Sequence, residues 1–181
     1  MNTLSQRLAL LDSNIRDIPN FPKPGIVFKD ITPLLSNSIA FKTAIDLLEE
    51  GLTGSEIDFI ACPEARGFIW GAPLAYRLGA GVTLIRKPGK LPTTTIEQTF
   101  DLEYGSDTLT IHADAFASKR NPNVLIVDDV LATGGTARAA VNLVTAAGGR
   151  VSGLAVLIEL DFLQGRSQLS NVPITSLLHY Q

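Results

Sequence analysis

The chain has 181 residues, 45% of them hydrophobic, with 15 Lys and Arg against 18 Asp and Glu, the composition of one ordinary globular domain with a sizeable core. A net charge of −3 supplies no global positive field, which argues against nucleic acid as a partner. A single cysteine, Cys62, cannot close a disulfide within the chain, and no segment reaches the roughly 18 unbroken apolar residues of a membrane helix, so a cytoplasmic protein with no membrane partner is expected.

Leu4, Leu8 and Leu11 recur at helical spacing and predict a short amphipathic helix at the N-terminus. Pro19, Pro22, Pro24, Gly25 and Pro33 exclude a regular helix from Asp17 to Pro33 and predict a loop held on a fixed, extended path. A second helix is predicted from Ile39 to Leu52, its pattern ending at Gly51 and Gly54.

A rhythm of apolar run, turn and helix follows. Ile57 to Ala61 predicts a strand, Glu64 to Gly67 a turn and Phe68 to Leu78 a helix; Val82 to Ile85 and Val124 to Val127 predict strands, Thr136 to Ala147 a helix, and Val151 to Leu160 a further strand. Nearly continuous Val, Ile and Leu runs indicate strands buried on both faces, so the fold class is α/β, a Rossmann-like parallel sheet flanked by helices. Residues 86–108 hold Pro88, Gly89, Pro92 and Gly105 with weak periodicity, which predicts a flexible lid over 91–105. The whole, 1–181, is expected to be one domain with an N-terminal extension over 1–33.

The most informative segment is Val124 to Thr136, VLIVDDVLATGGT. Four apolar residues lead to the carboxyl edge of the sheet, where open α/β folds place ligands, and two adjacent carboxylates follow. Thr133, Gly134, Gly135 and Thr136 then offer hydroxyls and unobstructed backbone N–H groups at a helix N-terminus, an arrangement that binds a phosphate monoester. No lysine follows the glycines as it does in a Walker loop, and the G-x-G-x-x-G dinucleotide signature is missing. Asp128 and Asp129 suit the vicinal hydroxyls of a ribose, so the expected ligand is a ribose 5-phosphate.

This segment resembles the signature of the type I phosphoribosyltransferases, which bind 5-phosphoribosyl 1-pyrophosphate. Asp17 to Leu35, Glu64 to Pro92 and Glu103 to Gly105 are similar, in order, to segments of the adenine phosphoribosyltransferase family, so the resemblance spans most of the chain. It implies a type I phosphoribosyltransferase fold, and transfer of the phosphoribosyl group to adenine to give AMP and pyrophosphate, a purine salvage step. The stretch Ala132 to Thr136 is then the 5-phosphate loop, with Asp128 and Asp129 on the ribose. A pyrophosphate leaving group needs cations and amides, and Arg66, Gly67, Arg86, Lys87 and Lys90 are the candidates. The family's turn carries a non-proline cis peptide, which here falls at Glu64–Ala65.

Val27 and Phe28 are implied to contact adenine, the aromatic face stacking on the purine while main-chain groups read its edge; Leu160 is implied as a further base contact. Glu103, at the end of the lid, is the candidate general base. Mg²⁺ is implied as the chelate of the pyrophosphate-bearing substrate, with no direct protein ligand named. His112 and His179 are expected to be structural or surface residues. The family is typically homodimeric, and Phe68, Ile69 and Trp70 on the helix after Gly67 suit an interface or a core equally. Two other readings remain open, a phosphoribosyltransferase for a 6-oxopurine (hypoxanthine or xanthine) and a non-catalytic regulator that senses phosphoribosyl pyrophosphate.

Overall fold

Thr3 and Gln6 start the first helix reciprocally: the Thr3 hydroxyl accepts the Gln6 N–H at 3.3 Å and the Gln6 side-chain oxygen accepts the Thr3 N–H at 2.9 Å. In the computed structural model, which describes residues 3–101 and 106–181, this helix is α1 (Leu4–Asp12), and it buries Leu11. The chain divides into two compact units, one through Leu47 and one from Leu48 onward, so the first unit runs past the extension expected over 1–33. The proline-rich stretch of the first unit is a hairpin rather than a loop. β1 (Arg16–Pro19) pairs antiparallel with β2 (Val27–Asp30), closed by the ion pairs Arg16–Asp30 at 2.6 Å and Lys29–Asp17 at 2.7 Å. Its turn includes a cis Phe21–Pro22 bond, and Asn20 Oδ1 accepts the Gly25 N–H at 2.9 Å.

Pro33 does not exclude a helix after all: it lies in the first turn of α2 (Thr32–Ser36), where its missing N–H costs nothing. α3 (Ser38–Gly51) follows, with Asn37 Oδ1 accepting the Ile39 and Ala40 N–H groups at 3.1 and 3.2 Å.

The second unit is built on β3 (Phe59–Pro63), α4 (Arg66–Leu78), β4 (Gly81–Ile85), β5 (Thr95–Asp101), β6 (Ser106–His112), β7 (Asn123–Leu131), α5 (Gly135–Ala146), β8 (Arg150–Leu160) and β9 (Ile174–Tyr180). Five strands form one parallel sheet in the order β4-β3-β7-β8-β9. Val124, Leu125, Ile126 and Val127 of β7, at its centre, are each at most 2% exposed, as strands covered on both faces must be. Ala139, Ala140, Leu143 and Val144 of α5 pack with Ala61, Val124, Ile126, Leu154 and Val156 on one face. α4 packs against Ile60 and Cys62, side chains that alternate to the other face, and Trp70 is fully buried, so of the candidate interface residues it belongs to the core.

Two stretches hold strands that the sequence pattern does not single out. The expected lid over 91–105 contains a regular strand, β5, paired antiparallel with β6 in a two-stranded ribbon, while residues 102–105 lie outside the described residues. The C-terminal stretch is a strand, β9, pairing with β8 and placing His179 opposite Glu159.

Candidate active site

In chain order the sheet runs second, first, third, fourth, fifth, so successive connections leave β3 and β7 in opposite directions and open a crevice at their carboxyl ends. β7 continues through both carboxylates to Leu131 instead of ending before them, which fixes Asp128 and Asp129 on rigid, paired backbone. Across the crevice, α4 begins at Arg66, and the Arg66 Nε lies 2.6 Å from Asp129 Oδ2, at ion-pair distance but without hydrogen-bond alignment. Asp129 is 3% exposed and Asp128 half-buried; Asp128 Oδ1 accepts the Asp129 N–H at 2.9 Å.

Burial, followed by the adjacent Asp129 charge, pushes the Asp128 carboxyl well above the usual carboxylate range. Burial also raises Asp129, opposed by the Arg66 charge. The two carboxylates therefore gain from any ligand that donates hydrogen bonds to them, which vicinal hydroxyls do. Gly67 lets α4 approach this closely: a Cβ there would sit 2.8 Å from the Val127 carbonyl oxygen, 3.2 Å from Asp128 Oδ1 and 3.3 Å from Pro63 Cδ.

Beyond β7 the chain turns through Ala132 and Thr133 into Gly134, which caps α5 with φ of +91°, a conformation suited to glycine. The first intrahelical bond runs from the Arg138 N–H to the Gly134 oxygen at 2.9 Å, so the N–H groups of Gly135, Thr136 and Ala137 open α5 without helical acceptors. Thr133 is exposed beside them and Thr136 half-buried. Thr133, Gly135 and Arg138 line a cleft of about 440 Å³ with Gln98 and Thr99 of the ribbon.

Of the cations, Arg66 stands at the crevice and Arg86 follows β4, its Nε donating to Glu64 Oε2 at 2.7 Å. Burial pushes Glu64 up, but the Arg86 hydrogen bond, the Lys87 N–H and both positive charges outweigh it and hold the carboxyl below its ordinary range. Lys87 pairs with Asp107 on β6, and Lys90 is exposed. The Glu64–Ala65 peptide is cis.

The model of the phosphoribosyl transferase domain family matches residues 34–174. Adenine phosphoribosyltransferase of Thermobifida fusca is 59% identical over 168 residues, covering 93% of this chain and 94% of the relative. The crystal structure of adenine phosphoribosyltransferase from Thermoanaerobacter pseudethanolicus superposes with a TM-score of 0.92 at 50% identity, covering 98% of this chain and all of the other. The chain belongs to the adenine phosphoribosyltransferase family. The Saccharomyces cerevisiae enzyme, solved with an imino-altritol bisphosphate and adenine, has a TM-score of 0.89 at 40% identity, covering 96% of this chain and 99% of that one.

Within the second unit, then, the structure brings together Arg66, Gly67, Asp128 and Asp129, with the Ala132–Thr136 loop on the same strand end and Arg86 joined to Glu64. Leu160 ends β8, half-buried. Val27 and Phe28 belong to the first unit, on β2, with Val27 exposed and the Phe28 ring edge-on to Phe21 at 5.2 Å. Glu103 lies outside the described residues. Sequence reasoning placed Glu64 in the turn and at the cis peptide but missed its pairing with Arg86, which emerges only from the register of Pro63 against Ile85. It also missed a polar cluster of Glu159, Asp161, Arg166, Ser176 and His179, which the β8–β9 pairing assembles from positions distant in sequence.

Proposed function

We propose that this enzyme transfers the 5-phosphoribosyl group of phosphoribosyl pyrophosphate to adenine, giving AMP and pyrophosphate in purine salvage. The observation that carries this reading is a single strand end that presents two adjacent carboxylates and, just beyond them, the N-terminus of α5, whose N-cap Gly134 offers no side-chain acceptor. The Asp128 and Asp129 carboxylates accept hydrogen bonds from the ribose hydroxyls. Backbone N–H groups from Ala132 to Thr136 and the Thr133 and Thr136 hydroxyls hold the 5-phosphate.

As the bond from C1 of the ribose to pyrophosphate lengthens, negative charge gathers on the leaving group and an oxocarbenium-like sugar develops. Arg66, the Gly67 backbone, Arg86, Lys87 and Lys90 meet that charge. Arg86 and Lys87, engaged with Glu64 and Asp107 in this structure, are held near the crevice by those pairs. Val27 and Phe28 bind adenine through main-chain groups and the aromatic face, Leu160 adds apolar contact, and Glu103 accepts the proton the base gives up. Closure of 91–105 excludes water that would otherwise hydrolyse the sugar.

The substrate enters as its magnesium chelate. Asp129 is already neutralised by Arg66 at 2.6 Å and Asp128 already accepts an N–H, a donor set that suits an ion carried in by pyrophosphate oxygens and water. The enzyme works as a homodimer in the cytoplasm, where phosphoribosyl pyrophosphate and AMP are retained by their charge. Ile69 and Tyr76 of α4, 36% and 88% exposed, together with Val82 and Leu84 on the edge strand β4, supply apolar surface for the dimer contact.

The test is incubation with Mg²⁺ and phosphoribosyl pyrophosphate plus adenine, hypoxanthine, guanine or xanthine in separate reactions, with nucleotides resolved by chromatography. AMP from adenine alone is expected. Any other nucleotide overturns the base assignment, and none from any base, with the sugar phosphate still bound, makes the protein a sensor.

A further inference from the structure

Glu159 is a carboxylate 3% exposed at the end of β8, opposite Leu131 on β7 and His179 on β9. Arg166 grips it with two donors, Nε to Oε1 at 2.5 Å and Nη2 to Oε2 at 2.7 Å, and the Ser176 hydroxyl donates to Oε2. His179 Nδ1 lies 3.0 Å from Asp161 Oδ1 and 3.9 Å from Glu159 Oε2. A buried charge satisfied this fully is a fixed point in the fold.

What that point holds is the 3₁₀ turn Gly165–Gln168, and the turn lies against the phosphate loop. A Cβ on Gly165 would fall far inside van der Waals contact of the Ala132 carbonyl oxygen. A Cβ on Gly134 would sit 2.6 Å from the Gly165 oxygen and 3.0 Å from Gln168 Cβ. Arg138 of α5 also donates to the Gln168 oxygen at 3.4 Å. Leu131, across from Glu159, is the residue immediately before the loop, so loop and turn are referenced to the same carboxylate from both sides.

We propose that Arg166, clasped by Glu159, is a positioning residue for the phosphate loop. It fixes the Gly165–Gln168 turn as the wall on which Ala132–Gly134 rests, and so sets affinity for the ribose 5-phosphate moiety and not for the base. This role rests on the loop's binding the 5-phosphate as proposed above. Converging N–H donors lose much of their grip when displaced by about 0.5 to 1 Å, which is what loosening the wall does.

The test uses the full chain with Arg166→Lys, which keeps the charge but not the two-donor fork, Glu159→Gln, and Gly165→Ala, which alters no charge. Calorimetry with ribose 5-phosphate alone gives an affinity independent of turnover, and KM is measured for phosphoribosyl pyrophosphate and for adenine. All three variants are expected to bind ribose 5-phosphate about tenfold more weakly and to raise the phosphoribosyl pyrophosphate KM alike, with the adenine KM within about twofold. Should any of them fail to fold, Ser176→Ala, which removes one donor to Glu159, is expected to show the same split at about two- to threefold. Undisturbed ribose 5-phosphate affinity in folded variants overturns the role, whether only melting temperature falls or the adenine KM rises instead, as it would if the cluster served neighbouring Leu160. Failure of the unsubstituted protein to bind ribose 5-phosphate refutes the loop's own assignment instead.

Discussion

Gly71 sets how deeply α4 sits on β3, and therefore where α4 carries Arg66. A methyl at Gly71 would fall far inside contact with Cys62 Sγ, with Ile60 Cγ2 at 3.3 Å and Cys62 Cβ at 3.4 Å, and Cys62 is fully buried. Overpacking of this kind costs about 1 to 3 kcal/mol, and the severity of the overlap places Gly71→Ala near the top of that range. The gain in helix propensity returns about 1 kcal/mol, leaving a net loss of about 2. Cys62→Ala leaves a small cavity and costs about 1 to 2 kcal/mol by itself. Combined, the new methyl enters the space the sulfur vacates, and the remaining neighbours at 3.3 and 3.4 Å are tight but tolerable.

The double variant should thus lie within about 1 kcal/mol of the unsubstituted protein, where additivity would put it about 3 to 4 below, a coupling of about 2 to 3 kcal/mol. In thermal melts, at about 2 to 4 °C per kcal/mol for a chain of this size, Gly71→Ala should fall by about 4 to 8 °C and the double variant recover most of it. The KM for phosphoribosyl pyrophosphate should rise in Gly71→Ala and return in the double variant, because the displacement of α4 carries Arg66 with it. A double variant as unstable as the sum of the singles would refute the proposed steric origin.

The Asp128→Ala, Asp129→Ala pair should weaken ribose 5-phosphate binding by about 100-fold or more, as two charge-assisted hydrogen-bond acceptors worth about 1.5 to 3 kcal/mol each are lost; calorimetry showing tight binding would remove the carboxylates from the ribose. Phe28→Ala should raise the adenine KM about tenfold with the phosphoribosyl pyrophosphate KM unchanged, and full adenine turnover at low adenine would sink the stacking assignment. Burial, aided by the Asp128 charge, pushes the Cys62 thiol up to about 12. At pH 8 only about 10⁻⁴ of it is thiolate, so Ellman's reagent should label it in urea and leave it untouched in the native protein. Burial raises Glu159, but the Arg166 and Ser176 hydrogen bonds and the Arg166 and His179 charges outweigh it, leaving the carboxyl below its reference of 4.5. A depressed folded value contributes stability that is present above the unfolded value and lost as pH falls through the folded one. The stability advantage over Glu159→Gln should be present above about pH 4.5 and shrink below it, as measured by urea midpoints.

The parts of the site legible in the sequence are those carried on contiguous chain. Val124 to Thr136 announces its strand, its carboxylates and its loop because all three lie in one segment whose burial changes abruptly. β9 escaped notice because an edge strand needs no continuous apolar run: of Ile174 to Tyr180, only Leu178 is buried. β5 alternates charged and polar residues, Glu97, Gln98 and Thr99, with few apolar ones, and reads as loop although its backbone pairs fully with β6. The start of α4 at Arg66 instead of Phe68 follows from tertiary packing at Gly67, a contact no periodicity encodes. Pairings such as Glu64 with Arg86, or Glu159 with Arg166 and Ser176, require strand register or a turn's path and become visible only once the sheet is assembled.

The contrast between β7 and its neighbours has a consequence for how the site fails. Carboxylates and phosphate loop are spaced by a few consecutive residues of one strand-to-helix passage, so their separation survives as long as that passage keeps its local shape. Arg66 opens α4 just after β3 and Arg86 follows β4, so the two are in place only while α4 stays packed and β3 and β4 remain in register. Under mild denaturant the crevice should come apart in halves, recognition of the sugar phosphate outlasting recognition of pyrophosphate. The passage from Val124 to Thr136 behaves as one cassette, braced from outside by the Gly165–Gln168 turn, around which the rest of the crevice is assembled.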